Sequence, residues 1–268
     1  MASIPSTHRQ GTTFTGAQRA SAPVHIVRLA DIGIDRDTFV RDIRPSFDRT
    51  SWDMYDVETR RAELDANTSL SDADRRAAAG AIQPHRRRAM RQYVLTPGAR
   101  GSWEIEFSDD TSFKQAVSDY RSRTREFALI EPEVSAHDGI LALLASAAET
   151  ARLHRKNVSR VNAVLHQVCV FARPAQAGSP APEGLHQDGA DFILSALVVE
   201  RSGVTGGVSR VRDGRDSAPM LEIELGAGEG IFQADADTQL WHEISPISLE
   251  PGATTGHRMT LGIDLHVS

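Results

Sequence analysis

The sequence is poor in cysteine and in long apolar runs, and each shortage excludes a class of protein. The single cysteine, Cys169, rules out an internal disulfide framework and a cysteine-based metal cluster, so any metal must be held by histidine and carboxylate groups. No segment approaches the roughly 18 apolar residues that span a bilayer, and residues 1–23 lack the apolar core of a secretory leader. We therefore expect a cytoplasmic protein without a membrane partner.

Excess basic charge is also missing, because 30 basic residues stand against 36 acidic ones and the net charge is −6. This balance argues against nucleic acid as a partner. What is present is an average globular composition, with 40% hydrophobic and 25% charged residues among 268. We expect a flexible lead-in over residues 1–22 and a single domain over residues 23–268.

The first part of that domain, residues 23–157, has mainly helical spacing and predicts a helical layer. Apolar residues recur at helical intervals over 140–144, and His137 is expected at a helix N-terminus. Residues 71–90, rich in alanine and arginine, predict an exposed helix that Ser71 caps and Pro84 interrupts. Its arginines are expected on a solvated face, although one of them is a candidate to receive a substrate carboxylate.

The second part, residues 158–268, changes to short segments with strand composition separated by turn residues, and this pattern predicts a sandwich, jelly roll or barrel. The predicted strands are 161–171, 192–199, 207–211, 220–225, 230–233, 240–244 and 258–267. In the last one the odd positions are apolar and the even positions polar or glycine, so one face packs and the other faces water or a pocket. The fold class is therefore α+β, with a β core and an N-terminal helical layer.

A candidate metal site begins at His186 and Asp188, which lie two residues apart before a predicted strand. In an extended segment such a pair projects to one side, where an imidazole and a carboxylate can reach the same ion. By itself the pair is weak, because a turn formed by Asp188 and Gly189 explains it equally well. A second histidine adds weight, since two histidines and one carboxylate form the facial triad of non-haem Fe(II) oxygenases.

The position of a nearby arginine indicates which later histidine is the third candidate metal ligand. His242, His257 and His266 all follow Asp188, and an oxygenase that uses a 2-oxo acid also needs a group for the distant carboxylate, which arginine binds bidentately. Arg258 follows His242 on the polar face of the last strand. His257 points away from Arg258, and no basic residue follows His266. His242 with Arg258 is the consistent combination.

Five motifs in this order resemble the Fe(II)/2-oxoglutarate dioxygenases of the bacterial free-amino-acid hydroxylase group, which includes isoleucine dioxygenase. The motifs are His166-Gln167, residues 182–189, residues 206–209, residues 241–247 and residues 258–261. The resemblance implies a double-stranded β-helix of the jelly-roll or cupin type. It also implies that His186, Asp188 and His242 ligate Fe(II), that Arg258 binds the outer carboxylate of the co-substrate 2-oxoglutarate, and that O2 is the oxidant.

The function expected from this resemblance is hydroxylation of an unactivated C–H bond in a free or lightly modified amino acid, with release of succinate and CO2. No catalytic residue is predicted beyond the metal ligands. Gln167 is a candidate substrate-binding residue, or equally a sheet residue satisfied by its surroundings. Two alternatives remain: a cupin-like metalloenzyme that does not use 2-oxoglutarate, and a non-catalytic small-molecule-binding protein on the same scaffold.

Overall fold

The computed structural model describes residues 11–12, 24–113 and 125–268. The α-helices in these ranges are α1 (Arg36–Ile43), α2 (Tyr55–Ala66), α3 (Asp72–Ala81), α4 (Pro132–Ser135) and α5 (Asp138–His154). Short 3-10 helices cover Leu29–Ile32, Arg44–Arg49 and Ala99–Gly101. The strands are β1 (Gly11–Thr12), β2 (Val24–Arg28), β3 (Ser51–Trp52), β4 (Arg86–Pro97), β5 (Trp103–Ser108), β6 (Ser112–Phe113), β7 (Arg125–Glu126), β8 (Ala128–Leu129), β9 (Val161–Ala172), β10 (Phe192–Ser202), β11 (Val204–Gly206), β12 (Val208–Asp213), β13 (Pro219–Glu224), β14 (Glu229–Ala234), β15 (Leu240–Ile244), β16 (Ile247–Leu249) and β17 (Gly256–Val267).

A large sheet, called here the major sheet, has the strand order β1-β5-β4-β9-β17-β10-β14-β2, and β3 and β8 pair with β4 at its side. The neighbours along that order are antiparallel. A three-stranded sheet with the order β13-β12-β15, called the minor sheet, and the β11-β16 pair form the opposing layer. Large antiparallel sheets beside helices confirm the predicted α+β, jelly-roll type of fold.

The last strand shows how the sheet separates its core face from its cavity face. Its odd positions Leu261, Ile263 and Leu265 are fully buried in the main apolar core, where they meet apolar residues of α5. Its even positions from Arg258 to Asp264 line a cavity on the other face. The alternation predicted from the sequence thus separates packing from the polar site, as the two-residue period of a strand requires.

The helix predictions are confirmed in part. α5 contains the expected apolar spacing, and the His137 side chain caps it by accepting a hydrogen bond from the Gly139 amide. Ser71 likewise caps α3. The prediction that this helix continues to residue 90 is wrong, because α3 ends at Ala81 and residues 86–97 form β4. β4 pairs with β9 on one edge and β5 on the other, and this pairing outweighs the helix propensity of alanine and arginine.

The predicted lead-in over residues 1–22 lies outside the described residues apart from Gly11 and Thr12, which pair with β5. The first part of the domain also supplies strands β2, β4 and β5 to the major sheet. Helices α1 and α5 therefore pack on a sheet that both parts of the sequence build. Across the described ranges, none of the helices has the length and apolar character needed to cross a bilayer.

Candidate active site

The candidate site is a cavity of about 140 Å³ between the major sheet and the layer that contains β15. One wall consists of side chains from β4, β9, β10 and β17. The other wall comes from the loop over residues 180–188 and from β15. Polar groups from several strands and one loop thus converge on a small concave space, as is usual for a binding site.

The His186–Asp188–His242 cluster lies in this cavity. The loop residue His186 and the β15 residue His242 are held side by side, because each backbone amide donates to the carbonyl of the other, at 2.9 and 3.0 Å. The Nε2 atom of His242 is 3.3 Å from Asp188 Oδ2, and that of His186 is 3.6 Å from Asp188 Oδ1. One ligand atom from each residue lies within 4.8 Å of the other two, which is compatible with a shared metal ion.

The loop that carries His186 and Asp188 is fixed by the residue between them. The side-chain amide of Gln187 donates to the carbonyls of Asp235, Thr238 and Leu240, at 2.9 to 3.1 Å. Gln187 points away from its two neighbours, as alternation in an extended segment requires. It therefore ties the loop to the connection between β14 and β15, next to the strand that supplies His242.

Asp235 supports both halves of the cluster. This fully buried carboxylate accepts a hydrogen bond from the Gly189 amide at 2.6 Å, and its other oxygen is 3.7 Å from His242 Nδ1. The side-chain amide of Gln233 also lies 3.4 Å from that nitrogen. A histidine that binds a metal through Nε2 needs an acceptor for the proton on Nδ1 to fix the tautomer, and of these two residues the Asp235 carboxylate is the acceptor placed for that purpose.

The carboxylates of Asp188 and Asp235 differ in pKa. Burial acts to raise the pKa of Asp188, but hydrogen bonds and charge from His186 and His242 hold that pKa well below its usual range. Burial raises the pKa of Asp235 to about 6. The group that faces both imidazole Nε2 atoms is thus the more strongly ionised of the two, which suits a hard anionic ligand for a divalent cation.

Arg258 is almost completely buried at the edge of the same cavity, with 1% of its surface exposed. Its Nε and Nη2 atoms have no hydrogen-bond partner among the described residues. Burial, and then the charge of Arg201, lower the pKa of Arg258 to about 10, so it stays protonated at neutral pH. A buried guanidinium with unpaired donors needs an anion, because leaving such donors without a partner is costly.

Gly207 leaves the space that Arg258 occupies. Its φ is +67°, and a Cβ built there would lie 3.0 Å from Arg258 Cδ and 3.2 Å from Nε. Glycine thus permits both the backbone conformation and the close approach of the arginine.

The residues present fit an iron ion and an oxo acid. The two neutral-imidazole donors and one carboxylate are the donor set of the non-haem iron facial triad. The unpaired donors of Arg258 match the second carboxylate of an oxo diacid that reaches the same cavity. The four residues expected at the cofactor site from the sequence are therefore brought together.

Gln167 is not brought to this cavity. Its side chain is buried and donates to the Ser46 hydroxyl. The neighbours of Gln167 on β9, His166 and Val168, point the other way and line the cavity. Strand alternation turns the Gln167 side chain away from the cavity, and its buried contact with Ser46 fits the alternative of a sheet residue satisfied by its surroundings.

Several residues around the site were missed by the sequence analysis. Gln233 and Asp235 belong to none of the motifs, and Gln187 was noted only as part of one, so only their contacts with the cluster and its loop identify their roles. Glu183 was noted only as part of a motif, yet its carboxylate lines the cavity 3.6 Å from His186 Nε2. Arg86 and Arg88 belong to the arginine group expected on a solvated helix face, one of which was a candidate for a substrate carboxylate, and the helix assignment hid the two-residue alternation that turns both toward the cavity.

A family model described as 2OG-Fe dioxygenase matches residues 71–264, which is more than two thirds of the chain. No curated protein matches the sequence. The family uses Fe(II), 2-oxoglutarate and O2, in agreement with the cofactors predicted from the sequence and with the histidine and carboxylate donors described above.

Solved structures with the same fold include three that are matched over most of their length. A bsmA homolog from Methylobium petroleophilum PM1 has a TM-score of 0.70 and 19% identity, with 92% of this chain and 89% of that one covered. IDO from Bacillus thuringiensis has a TM-score of 0.68 and 13% identity, with 96% and 99% covered. The Fe(II)/α-ketoglutarate-dependent dioxygenase TqaL has a TM-score of 0.59 and 13% identity, with 92% and 83% covered. At such identities these likenesses establish the fold.

Proposed function

The chain belongs to the 2OG-Fe dioxygenase family, and from this premise we propose that it hydroxylates an unactivated C–H bond of a free or lightly modified amino acid. The domain that does so spans residues 23–268. The observation that carries the proposal is the pairing, in one cavity, of the His186–Asp188–His242 cluster with the unpaired guanidinium of Arg258. That combination supports an iron site beside an oxo-acid site.

In the proposed mechanism His186, Asp188 and His242 hold the iron, and Arg258 holds the outer carboxylate of 2-oxoglutarate. With three protein ligands, the iron would remain accessible to the co-substrate. When bound, iron and 2-oxoglutarate supply the oxidation: O2, 2-oxoglutarate and the substrate C–H bond yield succinate, CO2 and the C–OH product.

The protein's own contribution is positioning and exclusion of water. Asp235 and Gln233 orient the His242 ring so that Nε2 faces the cavity. Gln187 and Asp235 hold the loop that carries the other two ligands. Arg258 would hold one end of 2-oxoglutarate, and the aliphatic side chains of Ile193 and Ile244 restrict water in the cavity.

The charges of the cavity support an amino acid as the substrate class. The lining contains the guanidinium groups of Arg86, which is ion-paired with the buried Asp53, and of Arg88, together with the carboxylate of Glu183. A free amino acid carries the complementary carboxylate and ammonium groups, and a lightly modified one keeps at least one of them. The aliphatic residues between these charges suit an apolar side chain.

Succinate formation tests this function. Purified protein loaded with Fe(II) is incubated with 2-oxoglutarate, O2 and a panel of free and N-acylated amino acids. We expect substrate-dependent succinate and a hydroxylated product with wild type, and neither with Asp188→Ala. A panel without substrate-dependent succinate, together with an Asp188→Ala variant that behaves like wild type, would contradict the proposal and favour the non-catalytic alternative.

A further inference from the structure

Arg258 has a second arginine as its neighbour in the major sheet. The pairing of β10 with β17 places Arg201 directly opposite Arg258. Side chains at directly opposite positions of antiparallel strands lie on the same face, with Cβ atoms about 5 Å apart. The Arg201 side chain is 14% exposed, and Arg258 is almost completely buried. Like charges in this arrangement destabilise a sheet, so the pair does not serve stability.

The contacts of Arg201 are with the protein behind the site. Its Nη2 atom donates to the Gly206 carbonyl at 2.8 Å and lies 3.0 Å from Glu224 Oε1. Gly206 is the last residue of β11, and Glu224 is the last residue of β13. Arg201 is not among the described residues that line the cavity. We therefore look for its role in what it holds in place.

Arg201 holds one end of the peptide unit that joins Gly206 to Gly207. The carbonyl of this unit accepts from Arg201, and its amide donates to the Pro246 carbonyl at 3.2 Å. Because the unit is planar and trans, bonds at its two ends fix its orientation. Both glycines have a positive φ, +82° and +67°, and a Cβ on Gly206 would collide with the Pro246 carbonyl. The two hydrogen bonds thus fix a segment that has no side chains to anchor it.

This peptide unit packs against the arginine of the oxo-acid site. A Cβ on Gly207 would lie 3.0 Å from Arg258 Cδ, so the backbone and the arginine are in close contact. A rotation of the peptide would change the space in which the Arg258 side chain rests. Arg201 therefore acts on the direction of Arg258 through the backbone of Gly206 and Gly207.

Arg201 also acts on Arg258 through its charge. Burial, and then the charge of Arg201, lower the pKa of Arg258, whereas the charge of Glu224 acts in the opposite direction. Glu224 is 53% exposed, so solvent weakens its contribution. One half-exposed carboxylate does not balance two largely buried guanidiniums. A ligand with a carboxylate beside Arg258 restores the balance, and a ligand with a neutral group there does not.

We propose that Arg201 is a positioning residue of the oxo-acid site, and that it sharpens the selection of this site for a ligand whose outer end is a carboxylate. Arg201 does so by holding the Gly206–Gly207 peptide against Arg258 and by placing a second positive charge beside it. This inference rests on the proposed function, because it takes Arg258 as the group that binds the outer carboxylate of 2-oxoglutarate.

Calorimetric titration of the Fe(II)-loaded protein with 2-oxoglutarate and with 2-oxopentanoate under anaerobic conditions tests the role of Arg201. The ratio of the two Kd values measures selection for the outer carboxylate. Arg201→Met should reduce this ratio about 3- to 10-fold, within the range for interacting neighbours. The Kd for 2-oxopentanoate should stay within about twofold of wild type, because that ligand has no carboxylate for Arg258 to bind. This second value also shows that the variant is folded and binds iron.

Two conservative variants distinguish the role of Arg201 from a loss of structure. Arg201→Lys keeps the charge and a donor but lacks the planar fork, so its ratio should fall less than that of Arg201→Met. Arg201→Gln keeps a donor without the charge and should lower the ratio more than lysine does. If Arg201→Met does not fold, the comparison of glutamine with lysine carries the test.

The matched control is Arg210→Met. Arg210 also links to β13 by an ion pair, with its Nε atom 3.1 Å from Glu222 Oε2, but its cross-strand neighbours are Glu222 and Glu243. The control removes a similar arginine–glutamate pair and should leave both Kd values at the wild-type level. A ratio that falls equally in Arg210→Met and Arg201→Met would overturn the proposal, because any broken ion pair to β13 would then have the same effect.

A double variant tests whether Arg201 acts through Arg258. In the Arg258→Gln background, Arg201→Met should change the Kd for 2-oxoglutarate by less than about twofold, because the group that it positions is gone. The same fold change in both backgrounds would contradict the proposal. If wild type binds 2-oxoglutarate and Arg201→Met keeps the wild-type ratio, the role of Arg201 is wrong and the oxygenase stands. If wild type does not bind 2-oxoglutarate, the proposed function itself fails.

Discussion

The His186–Asp188–His242 cluster and Arg258 occupy one cavity but are prepared for ligands in different ways. In the cluster, the polar side chains already contact one another and are supported from behind by Asp235, Gln233 and Gln187. Arg258 has buried donors with no partner among the described residues and rests against Gly207, whose missing side chain makes room for it. A metal site can be complete in protein contacts before its ion arrives, whereas the arginine is satisfied only by an external anion.

The largest expected effect comes from removing the carboxylate of the cluster. Asp188→Ala should lower Fe(II) affinity by at least about 100-fold, more than the range for residues behind the ligands. Equilibrium dialysis under anaerobic conditions measures it. The control is Asp216→Ala, which removes an exposed carboxylate between β12 and β13 and should leave affinity unchanged. Equal iron binding by both variants would show that the cluster is not the metal site.

Arg258→Gln should have the next largest effect, which we expect on the affinity for 2-oxoglutarate and not on that for Fe(II). We expect the Kd for 2-oxoglutarate to rise about 10- to 100-fold, because a charge-assisted contact is lost in a buried site. Iron content should stay at the wild-type level, since Arg258 is not one of the proposed ligands and its Nε and Nη2 atoms have no hydrogen-bond partner among the described residues. The Kd of Arg258→Lys for 2-oxoglutarate should fall between those of wild type and Arg258→Gln, because an ammonium keeps the charge but lacks the planar fork. Loss of iron in Arg258→Gln would show that the metal cluster and the Arg258 site do not bind their ligands separately.

Asp235→Asn sharpens the claim that the cluster is supported from behind. The asparagine can still accept from the Gly189 amide but presents an amide donor or a neutral oxygen to His242, so the required tautomer loses its anionic partner. We expect iron affinity to fall about tenfold, the lower part of the range for such residues, with the 2-oxoglutarate site intact. Asp237→Asn, at an exposed position nearby, is the matched control. An unchanged affinity would mean that Asp235 serves only the loop.

Gly207→Ala should have the smallest effect, a rise of about threefold in the Kd for 2-oxoglutarate. The new Cβ would press on Arg258 Cδ and Nε, and the positive φ adds strain of about 1–2 kcal/mol. Gly252→Ala separates the two causes, because Gly252 also has a positive φ of +86° but its Cβ would meet nothing within 4 Å. It should lower stability without changing 2-oxoglutarate binding. Equal Kd values of the two variants for 2-oxoglutarate would show that Gly207 does not determine the position of Arg258.

Most of the β core and the cluster could be predicted from the sequence because both depend on local patterns. The alternation over residues 258–267 fixed the two faces of β17, and the His-x-Asp spacing identified His186 and Asp188. β4 was missed because its alanines and arginines favour a helix in isolation, and only pairing with β9 and β5 makes the segment a strand. Asp235 was missed for a related reason, since its role depends on a contact across the fold.

Binding of two matched oxo acids tests the central claim most directly. 2-Oxoglutarate and 2-oxopentanoate have the same chain length, but only the first carries the outer carboxylate that Arg258 is proposed to hold. Calorimetry with the Fe(II)-loaded protein under anaerobic conditions should show wild type binding 2-oxoglutarate about 10- to 100-fold more tightly, and Arg258→Gln binding both with nearly equal affinity. A preference for 2-oxoglutarate that survives in Arg258→Gln would contradict the account.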